Sequence, residues 1–85
     1  MLGKEIYWLK YVYRRRTTAT VIAEARQEAG LSQRQLADKL GVSSNWVHRV
    51  ETLQCRVDVA EFIAVSRSLG IEPCTLLARV LGDAD

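Results

Sequence analysis

A single glycine divides two short apolar patterns near the middle of this 85-residue chain, and it constrains the fold more than any other feature. Leu36 and Leu40 precede Gly41, while Val47 and Val50 follow it, so apolar residues recur three or four positions apart on each side. Glycine readily adopts the left-handed backbone conformation that a sharp turn after a helix requires. The pattern therefore predicts two short helices that cross at a steep angle and share one core.

Small and capping residues stand at matching offsets around these two helices. Ala37 is small where the second helix must pass close to the first, and Ser43 can cap the second helix. With its flanks, this unit resembles the phage-repressor-like helix-turn-helix proteins, also called the Cro or XRE family, over residues 21–81. The resemblance rests on the stretches Ala25-Arg26-x-x-x-Gly30-Leu31-Ser32-Gln33, Leu36-Ala37-x-x-Leu40-Gly41-Val42-Ser43, Val47-x-x-Val50-Glu51 and Leu69-Gly70-Ile71.

The length of the chain suits one small domain with a short extension at each end. The resemblance implies a DNA-binding domain, which we expect over residues 17–82, between an N-terminal extension over residues 1–16 and an acidic tail over residues 83–85. The helix-turn-helix unit itself is predicted over residues 33–52. The fold class that the resemblance implies is all-α, a five-helix domain like that of the lambda repressor. A domain of this size often gains stability by dimerising.

Capping residues predict where the five helices begin, and apolar spacing predicts which residues face the core. The expected starts are Thr17 or Thr18, Ser32 with Gln35 in a capping box, Ser43, Asp58 with Glu61 in a second capping box, and Pro73. The residues expected to face the core are Ile22, Ala25, Ala29, Leu36, Ala37, Leu40, Val47, Val50, Val59, Phe62, Ile63, Val65, Leu69, Cys74, Leu76, Leu77, Val80 and Leu81.

Residues 5–13 (EIYWLKYVY) leave two structures open. Their aromatic and β-branched side chains favour a strand, which would pair with its copy in a second subunit because a five-helix domain offers it no partner. Ile6, Leu9 and Tyr13 also fit a helical stripe, which would add a turn of helix against the core. The segment is too short to span a bilayer and shows no signal-peptide cleavage pattern, so we expect a cytoplasmic protein without a membrane partner.

The formal net charge is only +2, but the charges are unevenly distributed. Residues 1–16 contain five basic residues and one acid, residues 17–57 contain five and four, and residues 58–85 contain two and five. This uneven distribution suggests that a basic face of the protein points towards phosphate and that an acidic face points away from it. The three consecutive arginines that end the first segment are candidates for DNA contacts, and an ordinary solvated segment is the alternative.

The residues needed for catalysis or metal binding are missing from the sequence. Cys55 and Cys74 do not form a CxxC motif, and the single histidine cannot complete a familiar ligand set with them. The chain also lacks a nucleophile paired with a base and a phosphate-binding glycine loop. We therefore expect no enzyme activity, no cofactor, no metal and no required disulfide, with both thiols reduced.

The third helix carries the residue types that read base edges. An α-helix fits the major groove, where a forked arginine pairs with guanine and an amide pairs with adenine, which suits Arg49 and Asn45 respectively. The family resemblance places base contacts at Ser44, Asn45 and Arg49, with Ser43 at the edge. Solvated helix surface is the alternative interpretation for Asn45 and Arg49.

A second set of residues is predicted to contact the DNA backbone. Gln33 begins helix 2, where free amides and the helix dipole favour phosphate, and the resemblance implies the same contact. Arg34 and Arg56 are candidates for the same role. Trp46 could donate its indole N–H to a phosphate, although packing is the alternative, and His48 could contact the backbone or a base or remain solvated.

Three further residues concern how the third helix is held and how it ends. The resemblance implies a largely buried ion pair between Arg26 and Glu51, which would fix this helix against the core. Leu53 stands where the family usually has glycine. A left-handed turn is costly for leucine, so we expect either a longer helix 3 or a different loop path, which puts the phosphate role of Arg56 in doubt.

Taken together, these features predict a sequence-specific regulator of transcription that binds double-stranded DNA. The expected form is a repressor that binds a near-palindromic operator as a homodimer, with helix 3 in the major groove and either helix 5 with the tail or residues 1–16 as the interface. Two alternatives are an antitoxin, which would bind a toxin as its protein partner through residues 1–16 or helix 5, and a controller protein of a restriction–modification system. Exposure of Tyr7, Trp8 and Tyr11 would favour a protein partner.

Overall fold

The computed structural model describes residues 18–82, which form five α-helices and no strand. The described part of α1 covers residues 18–28, and it is followed by α2 (Gln33–Leu40), α3 (Ser44–Glu51), α4 (Val59–Ser68) and α5 (Pro73–Gly82). The prediction of an all-α domain is confirmed for these residues. The predicted cap at Thr17, the strand or helix over residues 5–13, and the acidic tail lie outside the described residues.

Two capping boxes begin α2 and α4 as predicted. Ser32 Oγ accepts a hydrogen bond from the Gln35 backbone N–H at 3.0 Å, and the Ser32 N–H donates to Gln35 Oε1 at 2.8 Å. In α4, the Glu61 N–H donates to Asp58 Oδ1 at 2.7 Å, and the Asp58 N–H donates to Glu61 Oε1 at 2.9 Å. An N-cap of this kind stabilises a helix by about 1 kcal/mol, so these bonds set where each helix starts.

The turn between α2 and α3 is as short as the sequence pattern requires. Gly41 adopts the left-handed conformation with φ 75° and ψ 30°, and its N–H donates to the Ala37 carbonyl at 2.8 Å. Ser43 then caps α3, where its Oγ accepts from the Trp46 N–H at 3.2 Å. Only three residues therefore separate the two helices, and the start of α3 is placed by the end of α2.

The core consists of three clusters that are joined by partly buried residues, among them Phe62 of α4 and Leu69, which follows α4. The clusters are Val21, Ala25, Leu76 and Val80, then Ile22, Val50 and Val65, and finally Leu36, Ala37 and Val47. Leu69 is partly buried and packs against all three clusters, while Phe62 packs against the first two. Both inward residues of α3 thus lie in the core, so α3 is held by its buried side as well as by its cap.

Five residues expected in the core are exposed instead, namely Ala29, Val59, Cys74, Leu77 and Leu81. Leu76 and Val80 take the inward side of α5, and the leucine that follows each of them lies about 100° further around the helix axis. Val59 is the first residue of α4 and is 77% exposed. Ala29 lies beyond the end of α1. The prediction therefore assigned too many residues of α5 to the core. It also extended the core past the end of α1 and to the first residue of α4.

The exit from α3 differs from both expected alternatives. The helix ends at Glu51, and Leu53 itself adopts a left-handed conformation with φ 67°. The N–H groups of Gln54 and Cys55 both donate to the Arg49 carbonyl, at 2.7 Å and 3.2 Å. These bonds close the helix end and offset the cost of about 1–2 kcal/mol for a left-handed residue with a side chain. The prediction that leucine would avoid this turn is wrong.

The conformation of Leu53 gives a test of this geometry. We expect Leu53→Gly to be more stable than Leu53→Ala by about 1 kcal/mol, because only glycine adopts a positive φ without a steric penalty. Both variants lack the leucine side chain, so their difference isolates the backbone effect. Urea unfolding followed by circular dichroism measures it, and equal stabilities would contradict a left-handed residue at this position.

Candidate nucleic-acid interface

The outward side of α3 is polar and solvent-exposed. Val47 and Val50 are buried at 1% and 3% exposure, whereas Ser44, Asn45, His48 and Arg49 are exposed. At about 100° per residue, the two valines occupy one side of the helix and these polar residues occupy the other. Ser43 is also exposed just before the helix, with its oxygen engaged in the cap.

Asn45 and Arg49 form a pair one helical turn apart on this side. Residues separated by four positions are neighbours on a helix surface. No hydrogen bond to another described residue ties down either side chain, although the Arg49 carbonyl accepts bonds from the following loop. An amide and a guanidinium thus project together from the surface, which is the chemistry suited to base edges.

The C-terminal end of α3 is fixed by a buried ion pair between Glu51, its last residue, and Arg26 of α1. Arg26 Nε donates to Glu51 Oε2 at 2.7 Å, and Arg26 Nη2 donates to Glu51 Oε1 at 3.1 Å. The side chains are only 11% and 6% exposed, respectively. Arg26 Nη1 also donates to the Leu31 carbonyl at 2.8 Å, so the same guanidinium holds the loop between α1 and α2.

Gln33 joins this ion pair, which the sequence did not reveal. Its Nε2 donates to Glu51 Oε1 at 2.9 Å, and the residue is partly buried at the first position of α2. The two residues are 18 positions apart, so no spacing rule connects them. The amide nitrogen carries a second hydrogen that can reach an outside acceptor. Glu51 therefore positions Gln33 at the N-terminal end of α2, where the backbone N–H groups have no partner within the helix.

The other predicted backbone contacts are spread over three elements. Arg34 is exposed on α2, His48 is exposed on α3, and Arg56 is exposed in the loop between α3 and α4. Trp46 is partly buried and packs against two of the core clusters. Trp46 also lines an open cleft beside Leu40 and Val42. Its ring therefore serves the packing of α3, as the packing alternative supposed.

Neither a metal site nor a membrane span is found in the part of the chain that the structure describes. Within residues 18–82, His, Cys, Asp and Glu form no group of three or more that could hold a metal ion. Cys55 and Cys74 are both free thiols. None of the described helices is both long and apolar enough to cross a membrane.

A family model described as a helix-turn-helix domain matches residues 19–80 of this sequence. The chain belongs to this family. It is a DNA-binding transcriptional regulator of the XRE type, as its resemblance to Cro and XRE proteins predicted. A search of curated protein sequences found no match.

Solved structures of similar proteins agree with this assignment. An XRE-family like protein from Pseudomonas syringae pv. tomato str. DC3000 is 29% identical, with a TM-score of 0.86, and the alignment covers 94% of this chain and 98% of that one. Two structures of the clp gene regulator ClgR from Corynebacterium glutamicum are 21% identical, with TM-scores of 0.75 and 0.76. Those alignments cover 82% and 85% of this chain, and 74% and 94% of the ClgR chains, respectively. At that identity, the ClgR structures show a shared fold.

In this XRE-type regulator, the ion pair between Arg26 and Glu51 should matter more for folding than for base contacts. We expect Arg26→Ala to lower the free energy of unfolding by about 3–5 kcal/mol, because it leaves the Glu51 carboxylate buried without its cation. Arg79→Ala is the matched control. It breaks an exposed pair with Glu28 and should cost less than about 1 kcal/mol.

Thermal and urea unfolding of the two variants measure this difference. Base preference should survive in whatever fraction of Arg26→Ala remains folded, since Arg26 lies on α1 and not on the outward side of α3. A melt of Arg26→Ala that matches that of the parent protein would contradict the structural role.

Proposed function

We propose that this regulator is a sequence-specific repressor that binds a near-palindromic operator as a homodimer, with α3 as the recognition helix in the major groove. The observation that carries this proposal is the polar outward side of α3 on a helix whose other side is locked in the core. Such a helix can enter the groove without rearrangement, because its base-reading side chains project from a fixed backbone.

The chemistry of the outward side suggests which bases are read. The Arg49 guanidinium can donate two parallel hydrogen bonds to O6 and N7 of guanine, and the Asn45 amide can pair with N6 and N7 of adenine. Each bidentate pair contributes roughly 1–3 kcal/mol of discrimination. Ser44 adds a short hydroxyl beside them, and Ser43 stands at the edge of the same surface.

Backbone contacts would fix the register of the recognition helix on the duplex. Gln33 can donate its second amide hydrogen to a phosphate at the start of α2, where the helix dipole also favours negative charge. Arg34, His48 and Arg56 can supply further donors, and the Trp46 indole N–H can add one beside its packing role. Contacts of this kind position the protein without reading the sequence.

Two copies are needed because a single α3 spans only a few base pairs. Two recognition helices about one DNA turn apart, roughly 34 Å, would read two half-sites related by the symmetry of the dimer. Occupancy of such an operator excludes other proteins from the same stretch of DNA, which is the simplest route to repression. The interface would involve α5 or residues 1–16.

Selection from random double-stranded DNA at a fixed salt concentration tests the proposal directly. We expect enrichment of a motif made of two inverted half-sites whose centres lie about 10 base pairs apart. Salt must be stated because nonspecific binding depends steeply on it. Retention of DNA with no enriched motif would contradict sequence-specific regulation, and a single half-site would contradict the dimer.

Arg49→Ala should relax the preference at one base position in each half-site. The loss of a bidentate pair should weaken binding to the preferred sequence by roughly 1–3 kcal/mol, with little change for DNA that already carries another base there. Arg67→Ala, which removes an exposed arginine on α4, is the control and should leave the preference intact. Titration against single-base operator variants measures both effects.

Gln33→Ala should act differently, because its proposed contact is to the DNA backbone. We expect affinity for the operator and for unrelated DNA to fall by the same factor, with the base preference unchanged. Gln27→Ala removes an exposed glutamine on α1 and serves as the control. A changed base preference in Gln33→Ala would show instead that Gln33 reads sequence or shifts α3.

A further inference from the structure

One side of α5 carries an apolar stripe that no described residue covers. Leu77 and Leu81 are 46% and 54% exposed and lie one turn apart. Cys74 and Ala78 are exposed on the same side, at spacings of three and four from the leucines. We call these four residues the α5 stripe. The opposite side of the helix, with Leu76 and Val80, is already buried in the core.

The α5 stripe is too small to hold a second protein by itself. A stable interface between separate chains buries about 800 Å² on each partner and involves roughly 20–30 residues a side. Four side chains, two of them small, on one ten-residue helix fall far short of that area. A short apolar segment tethered nearby needs much less area, because the tether raises its effective concentration to about the millimolar range.

The chain contains one segment with the matching chemistry. Residues 5–13 (EIYWLKYVY) hold all three tyrosines and one of the two tryptophans, and seven of their nine residues are apolar or aromatic. Burial of a large apolar side chain contributes about 1.5–3 kcal/mol. Packing of this segment against nearby apolar surface is therefore strongly favourable.

The connection between this segment and α5 is short. Val21, in the first described turn of α1, lies in the same buried cluster as Leu76 and Val80 of α5. Only residues 14–17 separate the segment from the first described residue of α1. The five residue steps from residue 13 to residue 18 reach at most about 18 Å, and a ten-residue helix is about 15 Å long. The end of the segment is thus held within about one helix length of the first described turn of α1, which packs against α5.

We propose that residues 5–13 pack in cis across the α5 stripe. The occupant is the chain's own aromatic segment rather than a second copy, because the stripe is small and the tether is short. Residues 1–16 and α5, the two candidate interfaces for self-association, then form one composite surface. A second copy or another protein meets the outer side of the segment, or must first displace it. This proposal does not depend on the proposed operator binding.

Trp8 gives a direct readout of this contact in the full chain. Trp46→Phe leaves Trp8 as the sole tryptophan. We expect its emission to be blue-shifted and protected from acrylamide, at every protein concentration down to the detection limit. Leu77→Glu with Leu81→Glu should shift the emission to the red and raise quenching several-fold. Thr75→Glu, an exposed change on α5 outside the stripe, should leave both unchanged.

Cys74 allows the reciprocal test with changes in the segment, which cannot damage the packing of α5 itself. Cys55→Ser leaves Cys74 as the only thiol. We expect Trp8→Glu with Leu9→Glu to make Cys74 react several-fold faster with a thiol reagent, while the helical circular dichroism of the domain persists. Lys4→Glu, outside residues 5–13, should leave the rate unchanged.

The outcomes separate the possible occupants. An exposed Trp8 in the parent, or a Cys74 rate that the segment variant leaves unchanged, would overturn the proposal. Protection of Trp8 that appears only as the concentration rises, together with a larger mass in sedimentation, would assign the stripe to a second copy and also overturn it. Concentration-independent protection that the double glutamate variant removes would support packing in cis.

Discussion

Glu51 accepts three hydrogen bonds from side chains that approach it from two other helices, and the position of α3 depends on this convergence. Arg26 of α1 supplies two of these bonds and Gln33 of α2 supplies the third. The carboxylate belongs to the last residue of α3, so both preceding helices hold the same end of α3. Because the pair is largely withdrawn from water, neither partner can be lost without leaving a charge poorly solvated. The interaction therefore stabilises the folded arrangement in which α3 is held.

The opposite end of α3 is placed by backbone constraints rather than by charge. Gly41 turns the chain at the end of α2, and Ser43 caps the new helix two residues later. Val47 and Val50 hold the inward side between these two ends. With both ends and one side fixed, only the outward side remains open to solvent. DNA that binds this side would then require little ordering of the protein backbone, so less of the binding free energy would be lost to ordering.

Residue spacing predicted most features that depend on neighbouring residues, although it failed at the left-handed turn of Leu53. It did not connect distant residues, and the pair of Arg26 with Glu51 was expected only from the family resemblance. Both capping boxes join residues three apart, and the glycine turn is a local property, so these could be predicted. The inward side of α5 could not, because Leu76 and Leu77 are adjacent and equally apolar, as are Val80 and Leu81. The bond from Gln33 to Glu51 crosses 18 positions and carries no spacing signal. For the candidate site, the valine stripe of α3 predicted which residues point outward, whereas their contacts with DNA depend on a partner the sequence does not contain.

The short length of α2 and α3 has a consequence for how the protein meets DNA. Each helix has eight residues, whereas isolated helices shorter than about 12–15 residues are only marginally stable in water. The surface proposed to read bases is therefore a product of the whole folded domain, and an unfolded chain contains no partial version of it. Any DNA that binds this surface must then draw molecules into the native state by mass action, so that saturation with operator raises the melting temperature of the protein. In such a small domain, the equilibrium between bound and free DNA and the equilibrium between folded and unfolded protein are therefore coupled.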